Sequence, residues 1–122
     1  MTRHRILELG AGPADEPCAQ LGQCADFAAA NTLELLAYKA AGLYDKGEEC
    51  GAEANASKYL GTEAGFTACE TAVLTHGGMG YAKEYHVERM MREAMLARIA
   101  PVSREMILNF IAERVLGLPK SY

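Results

Sequence analysis

The sequence predicts an all-α protein, an up-down bundle of four helices. Alanine is its most frequent residue, with 21 copies, whereas valine and isoleucine, which strands prefer, contribute only four each. Apolar residues recur at three- and four-residue steps along four segments, and short glycine- or proline-containing stretches separate those segments. Short connections between amphipathic helices favour antiparallel neighbours, and therefore a bundle.

Length and charge narrow the class of protein further. The 122 residues fit one domain, and a composition of 50% hydrophobic and 23% charged residues excludes a disordered tail. The net charge of −4 does not indicate a basic surface that would bind the phosphate backbone of a nucleic acid, so we expect no nucleic-acid partner. No apolar run approaches the ~20 residues of a membrane span, and no signal peptide is evident, so we expect no membrane partner and a cytoplasmic location.

The first helix is predicted over residues 16–46, after a leader that lacks any helical or strand pattern. Residues 1–16 carry glycine and proline without periodicity, which predicts a poorly ordered leader before a bundle domain at 17–122. Asp15 is the predicted N-cap, and Gly47 is a typical helix stop. The predicted apolar stripe consists of Leu21, Cys24, Ala25, Ala28, Leu35, Leu36, Ala40 and Leu43.

The second helix, predicted over residues 50–76, has small side chains along one stripe. Two glycines inside a helix cost ~1 kcal/mol each relative to alanine, which predicts that a neighbouring backbone packs closely against them. We therefore expect this helix to be deeply sandwiched between others. The stripe consists of Ala54, Ser57, Gly61, Ala64, Gly65, Ala68 and Ala72.

Two further helices are predicted over residues 85–98 and 103–116. Pro101 ends the third helix, and Ser103 is the predicted N-cap of the fourth. Four methionines cluster on these helices, and core filling is favoured over the alternative of a soft lining for an acyl chain. They are Met90, Met91, Met95 and Met106.

Metal binding and thiol chemistry find little support in the sequence. The four cysteines form no CxxC pair, which favours free, core-filling thiols. His76 and His86 have no third ligand at a usable spacing, so no metal site is predicted. His86 and Glu88 form an HxE pair, but the Pro-Cys-x-x-Cys that completes a deaminase zinc site does not follow.

The glycine-rich stretch at residues 76–81 allows two interpretations. A helix that ends in glycines is routine, and the residues alone favour this purely structural interpretation. The alternative is that bare backbone groups face a ligand there. A Rossmann fingerprint is excluded, because these glycines follow a helix instead of a strand.

Residues 75–94, THGGMGYAKEYHVERMMREA, carry a resemblance to a known family. This stretch resembles the pattern HGGxGY…EYxVER…RDA of the acyl-CoA dehydrogenase family, in its C-terminal helical domain. The resemblance covers about residues 17–122 and is strongest over 50–122. It implies FAD-dependent α,β-dehydrogenation of a fatty or related acyl-CoA thioester by a homodimer or homotetramer that passes electrons to an electron-transfer flavoprotein. It also implies two preceding domains, one helical and one of β structure.

The same resemblance implies which residues meet the cofactor. The stretch Leu74, Thr75, His76, Gly77 and Gly78 matches the segment that approaches the FAD of a neighbouring subunit, although Leu74 replaces the usual glutamine and loses a polar contact.

The loop before the last helix matches a second cofactor-contacting segment. Ser103 keeps a hydroxyl where the family has a flavin-contacting threonine, and Arg104 and Glu105 follow in cofactor-contacting positions. Pro101 occupies the position of the glutamate that many relatives use as the base, so no catalytic residue is assigned here. Some relatives keep their base on a preceding helix, which residues 1–16 do not resemble.

Three functional hypotheses follow. The first is the C-terminal domain of a flavin-dependent acyl-CoA dehydrogenase, a fragment or split-gene product that is inactive alone because the other domains enclose the substrate. The second is a non-catalytic helical interaction module, for which an exposed apolar stripe predicts self-association. The third is a stand-alone bundle that binds a small ligand along its methionine-lined faces.

Overall fold

A computed structural model describes the backbone of residues 17–120 and the side chains of residues 25–120. Those residues contain helices and turns and no strand, which confirms the all-α class. The predicted leader at 1–16 lies outside the described residues. The elements are α1 (Pro17–Asp45), α2 (Gly51–His76), the single turn α3 (Gly78–Tyr81), a 3₁₀ turn (Lys83–Tyr85), α4 (Val87–Ile99), α5 (Arg104–Phe110) and a π-helical turn (Ile111–Val115).

The ends of α1 and α2 lie within one residue of their predicted positions. At the end of α1, Gly47 adopts a φ of 73° and the amide of Glu48 donates to the carbonyl oxygen of Leu43 at 3.0 Å. A glycine in the left-handed region with such a bond is a common helix stop. Local chemistry therefore sets this boundary.

The third and fourth helices differ from the prediction. α4 begins at Val87, two residues late, because His86 takes a left-handed φ of 60° after the 3₁₀ turn. The last helix starts as predicted, with the Oγ of Ser103 accepting from the amide of Met106 at 3.3 Å. It then widens, and the amide of Leu116 donates five residues back to Ile111. The predicted single helix over 103–116 is therefore an α-helix followed by a π-helical turn.

α2 lies at the centre of the bundle. On the α1 side, Lys39 pairs with Glu53 at 2.9 Å and Leu33 packs against Gly61, so the two helices run antiparallel. On the α4 side, Arg98 near the end of α4 pairs with Glu63 in the middle of α2, and Ala100, just after α4, accepts from Lys58, which is closer to the start of α2. α4 therefore runs antiparallel to α2 as well, and the up-down bundle is confirmed.

The small-residue stripe of α2 behaves as predicted at one glycine and not at another. A Cβ at Gly61 would lie 2.9 Å from the Cδ2 of Leu33, so α1 does approach this position closely. A Cβ at Gly65 would meet nothing within 4 Å, and Gly65 is exposed. Ser57 is the only buried residue of α2, so the expectation of deep sandwiching on all sides is wrong for this chain.

The core is small and the apolar surface is large. Among the described residues only Ala40, Val87 and Ile107 are buried hydrophobic residues. Leu35, predicted to be buried, is 73% exposed, and Met95 and Met106 are exposed as well, against the core-filling prediction. The helices therefore carry apolar surface that the other described residues do not cover.

None of the described helices is both long enough and apolar enough to cross a bilayer.

Candidate functional site

The residues singled out from the sequence lie in two places, which we call the turn segment (residues 74–81) and the loop segment (residues 100–105). The turn segment comprises the end of α2, Gly77 and the single turn α3. The loop segment follows α4 and includes the first two residues of α5.

The side chains of the turn segment bond back onto the last turn of α2. The hydroxyl of Thr75 donates to the carbonyl oxygen of Thr71 at 2.8 Å, and the Nδ1 of His76 lies 2.8 Å from the carbonyl oxygen of Ala72. Because a carbonyl only accepts, Nδ1 carries the hydrogen, which leaves Nε2 for another partner. Leu74 is 73% exposed and offers no polar group.

The glycines of the turn segment do two different things. Gly77 takes a φ of 55°, and its amide donates to the carbonyl oxygen of Leu74 at 3.1 Å. Gly80 is buried, and a Cβ there would collide with the carbonyl oxygen of Val73. Gly77 and Gly78 are exposed, with nothing within 4 Å of a Cβ at either position. The stretch is thus a helix stop and also a piece of bare, accessible backbone.

The loop segment is attached to α2 through its backbone. The ammonium of Lys58 donates to the carbonyl oxygen of Val102 at 2.5 Å and to that of Ala100 at 3.4 Å. Pro101, whose peptide bond with Ala100 is cis, lies between these two carbonyls. Ser103 accepts from the amide of Met106, and its own hydroxyl hydrogen stays available to another acceptor.

Two arginines meet one carboxylate beneath the loop segment. Arg98 forms a bidentate pair with Glu63, at 3.0 Å from Nε to Oε1 and 2.5 Å from Nη2 to Oε2. Arg104 adds an ion pair at 3.4 Å to Oε1 of the same carboxylate. The guanidinium carbon of Arg98 also lies 4.0 Å from the ring centroid of Phe66. The hydrogen bonds from Arg98 hold the pKa of Glu63 below its usual value.

Arg104 keeps one donor without a partner. Its Nε is buried and makes no hydrogen bond among the described residues. It lies 3.2 Å from Oε1 of Glu105, which is ion-pair distance without hydrogen-bond geometry. The positive charges of Lys58, Arg98 and Arg104 are balanced by the negative charges of Glu63, Glu105 and Glu70, the last of which also acts on Arg98.

The structure does not bring the two segments together. The loop segment lies beside Glu63, and the turn segment begins near His76, 13 residues further along α2. At 1.5 Å per residue this separation is about 20 Å. One small ligand group therefore does not touch both segments of the same chain.

Sequence reasoning missed Lys58 and Glu63, because their bonds span 35 to 44 residues. Arg98 differs here from Arg92 on the same helix, which pairs locally with Glu88 at 2.7 Å. One signal was available: Arg98 has no acidic residue three or four positions away, so its partner had to be on another element.

Thiol and metal chemistry remain unsupported. Cys50 and Cys69 are free and half-buried, and burial together with the Asp26 charge raises the pKa of Cys69, so this thiol stays protonated. The side chains of Cys18 and Cys24 lie outside the described residues. Within residues 25–120, no three histidine, cysteine or acidic side chains come together as metal ligands.

An open cavity of about 1210 Å³ lies elsewhere, where the α1–α2 connection faces α5 and the π-helical turn. Its lining includes Cys50, Phe110, Glu113 and, of the four clustered methionines, only Met106. It contains no residue of the turn segment and none of the loop segment.

The fold and the two segments define the described part of the chain as an open helical domain that presents contact surfaces at its connections. The family model for the C-terminal domain of acyl-CoA dehydrogenases matches residues 10–116. The chain belongs to the acyl-CoA dehydrogenase family, and it corresponds to the C-terminal helical domain. Members of this family are generally FAD-dependent and typically form oligomers.

Individual relatives agree with this assignment. The chain is 54% identical over 91 residues to acyl-CoA dehydrogenase FadE12 of Mycobacterium tuberculosis. The matched residues make up 73% of this chain and 24% of that protein. It is 37% identical over 88 residues to an acyl-CoA dehydrogenase of Bacillus subtilis, covering 72% and 23%. It is 42% identical over 66 residues to the caffeyl-CoA reductase-Etf complex subunit CarC of Acetobacterium woodii, covering 54% and 17%. The chain spans about a quarter or less of these relatives.

Proposed function

We propose that this chain is the part of a flavin-dependent acyl-CoA dehydrogenase that closes over FAD, in an enzyme that introduces an α,β double bond into an acyl-CoA thioester. The observation that carries the proposal is the turn segment, where Gly77 and Gly78 are exposed and a Cβ at either position would have nothing within 4 Å. A glycine pair of this kind permits a ligand to approach the main chain closely. The chain by itself is inactive, because residues 25–120 form no enclosed site in which substrate and cofactor could react.

The residues present fit FAD, whose diphosphate is anionic and whose ring system accepts hydrogen bonds. In this proposal Leu74, Thr75, His76, Gly77 and Gly78 contact FAD from the turn segment. The backbone of Gly77 and Gly78 and the Nε2 of His76 are the polar groups available there.

In the loop segment, Ser103, Arg104 and Glu105 are the proposed contacts. The hydroxyl of Ser103 keeps its hydrogen to donate. The Nε of Arg104 is buried and makes no hydrogen bond among the described residues, although it lies at ion-pair distance from Glu105. When bound, FAD supplies the acceptor for a hydride from the β-carbon of the thioester.

The separation of about 20 Å between the segments supports a homo-oligomer. In a dimer or tetramer, the turn segment of one protomer and the loop segment of another meet different parts of one cofactor or different cofactors. A closed symmetric assembly would bring such remote segments into shared sites.

The loop segment offers no free base for the α-proton. Pro101 carries no proton acceptor, and Glu105 lies 3.2 Å from the guanidinium of Arg104. Glu63, outside the segment, is held ionised between two arginines, which makes it a weak base. The base therefore comes from outside the loop segment. Electron-transfer flavoprotein as the electron acceptor and a cytoplasmic location complete the proposal.

Fluorescence titration of FAD with the purified chain tests the cofactor contact. We expect Leu74→Gln to tighten binding about fivefold, because an amide restores one hydrogen bond to the cofactor. Arg104→Gln should weaken binding, whereas the matched control Arg114→Gln, an exposed arginine beyond α5, should not. Equal affinity in all four proteins would contradict the proposed contacts.

A turnover assay tests the claim of inactivity. The chain mixed with FAD, an acyl-CoA and a reducible dye should show no reduction at enzyme-like rates. Dye reduction at such rates by the chain alone would contradict the proposal.

A second candidate function, a helical oligomerisation or interaction module, is favoured by the outer face of α1. Phe27, Leu35 and Tyr38 are 54%, 73% and 69% exposed there, on a different face from Leu33 and Ala40, which face the bundle. A helix with apolar residues on two faces is suited to lie between two neighbours. In this alternative the chain associates with itself or with full-length relatives and does no chemistry.

Light scattering over a range of protein concentrations tests this alternative. We expect dimers or larger species, and a shift towards monomer for Leu35→Lys, which places a charge on the outer face of α1. The matched control Leu118→Lys places the same charge on an exposed leucine near the other end of the chain. A monomer at all concentrations would refute the oligomerisation module.

A further inference from the structure

Two residues of α2 hold the loop segment from outside it. Lys58 bonds its backbone and Glu63 bonds the side chain of Arg104. We propose that Lys58 and Glu63 are positioning residues, which place Ser103 and Arg104 for the cofactor before it binds. The inference rests on the proposed function for the cofactor that these residues serve. It rests on the contacts of α2 for the way in which they hold the loop segment.

Lys58 fixes the path of the loop backbone. The carbonyl oxygens of Ala100 and Val102 lie on either side of Pro101, which has no amide hydrogen with which to anchor the chain. A single ammonium group that reaches both carbonyls therefore sets where the chain enters α5. Ser103, the N-cap of α5, follows directly, so its hydroxyl is placed by the same contact.

Glu63 fixes the side chain of Arg104. Its carboxylate is anchored first by the bidentate pair with Arg98, which in turn lies over the ring of Phe66. A planar guanidinium fork holds a carboxylate in one orientation, which a lysine does not do. The anchored carboxylate then reaches Arg104 at 3.4 Å and keeps its long side chain against α2.

These contacts contribute to local order more than to global stability. Lys58, Glu63 and Arg104 are all partly exposed, and ion pairs at exposed positions contribute little to the free energy of unfolding. Held groups bind a ligand better than free ones, because less side-chain entropy is lost on binding. Positioning therefore predicts that the loop segment loosens when either residue is replaced, while the rest of the bundle does not.

Amide hydrogen exchange of the full chain, read by NMR, tests the inference with Lys58→Met and Glu63→Gln. The amides of Met106 and Ile107, which bond to Ser103, should exchange about tenfold faster in both variants. The Nε–H signal of Arg98 should lose its protection in Glu63→Gln. The amides of α1 should exchange as in the wild type, and the midpoint of urea unfolding should fall only slightly.

A matched control exists on the same helix. Glu53→Gln also removes a carboxylate from an ion pair of α2, with Lys39 of α1, and that pair does not touch the loop segment. It should leave the amides of Met106 and Ile107 unchanged. The conservative variants Lys58→Arg and Glu63→Asp keep the charges and should restore part of the protection.

Unchanged exchange of these amides in Lys58→Met and Glu63→Gln would overturn the inference, and so would uniformly faster exchange throughout the bundle. Titration of the same variants with FAD addresses the proposed function separately. A loosened loop with wild-type FAD affinity supports the positioning and contradicts the cofactor contacts of Ser103 and Arg104. Weaker FAD binding with an unchanged loop contradicts the positioning and supports those contacts.

Discussion

The turn segment and the loop segment connect helices in the same small bundle, yet different kinds of contact hold them. In the turn segment, Thr75 and His76 bond four residues back, and Gly77 bonds three residues back. The loop segment is held by Lys58 and Glu63, which reach it across 41 to 44 residues of sequence. One segment is organised by its own residues, and the other by a neighbouring helix.

Because of this difference, local bonds determine the shape of the turn segment, whereas contacts with another helix determine the position of the loop segment. The turn segment takes its shape wherever α2 ends, because its bonds need no other element. The loop segment has a defined position only when α4, α5 and α2 have packed. Substitutions in the turn segment should therefore act on the folding free energy through sterics, and substitutions in the loop segment should act through charge and local order.

The largest expected effect is that of Gly80→Ala in the turn segment. The new Cβ would overlap the carbonyl oxygen of Val73 and would lie 3.0 Å from the Cα of Val73. These are backbone atoms, which cannot move aside as a flexible side chain can. We expect a loss of about 2 kcal/mol in the free energy of unfolding, measured by urea denaturation. Gly78→Ala, at a position with nothing within 4 Å, should change it by less than about 0.5 kcal/mol. Equal effects of the two substitutions would show that the close contact at Gly80 is not what makes the turn segment rigid.

A smaller effect is expected for Ser103→Ala, which removes the N-cap of α5. Losing a serine cap costs about 1 kcal/mol in most hosts, because a backbone amide at the helix start loses its acceptor. The amide here is that of Met106, which donates to the serine Oγ at 3.3 Å. Urea denaturation measures the loss, and Ser103→Asp, which keeps an acceptor, should recover most of it. No recovery in Ser103→Asp would contradict the capping role.

The smallest expected effect is a pH dependence carried by Glu63. Because Arg98 lowers its pKa in the folded chain, the Glu63 carboxylate stabilises the fold fully above the unfolded pKa of about 4.3. That contribution is lost as the pH falls through the lower, folded-state pKa. The slope of unfolding free energy against pH in acid should therefore be shallower in Glu63→Gln, by at most ~1.4 kcal/mol per pH unit. Denaturation between pH 5 and 3 measures this slope, and identical slopes in both proteins would contradict the lowered pKa.

Features that depend on neighbours in the sequence were predicted well. The ends of α1 and α2, the left-handed Gly47 and the serine cap of α5 all follow from residues within a few positions of one another. The start of α4 was missed because His86, without the freedom of glycine, adopts a left-handed φ of 60°. Which face of α1 is buried was predicted wrongly at Leu35, since two faces of that helix are apolar and periodicity cannot rank them.

The sequence by itself determined the all-α class, the family and the shape of the turn segment, because periodicity, a run of matching residues and short-range bonds need no tertiary partner. Only the tertiary structure decided that α2 is central, that the two segments lie about 20 Å apart, and that Lys58 and Glu63 serve the loop segment. The physical reason is that charge pairs between helices have no spacing rule in the sequence. Their geometry exists only after the helices have packed, and the helices pack through residues other than those charges.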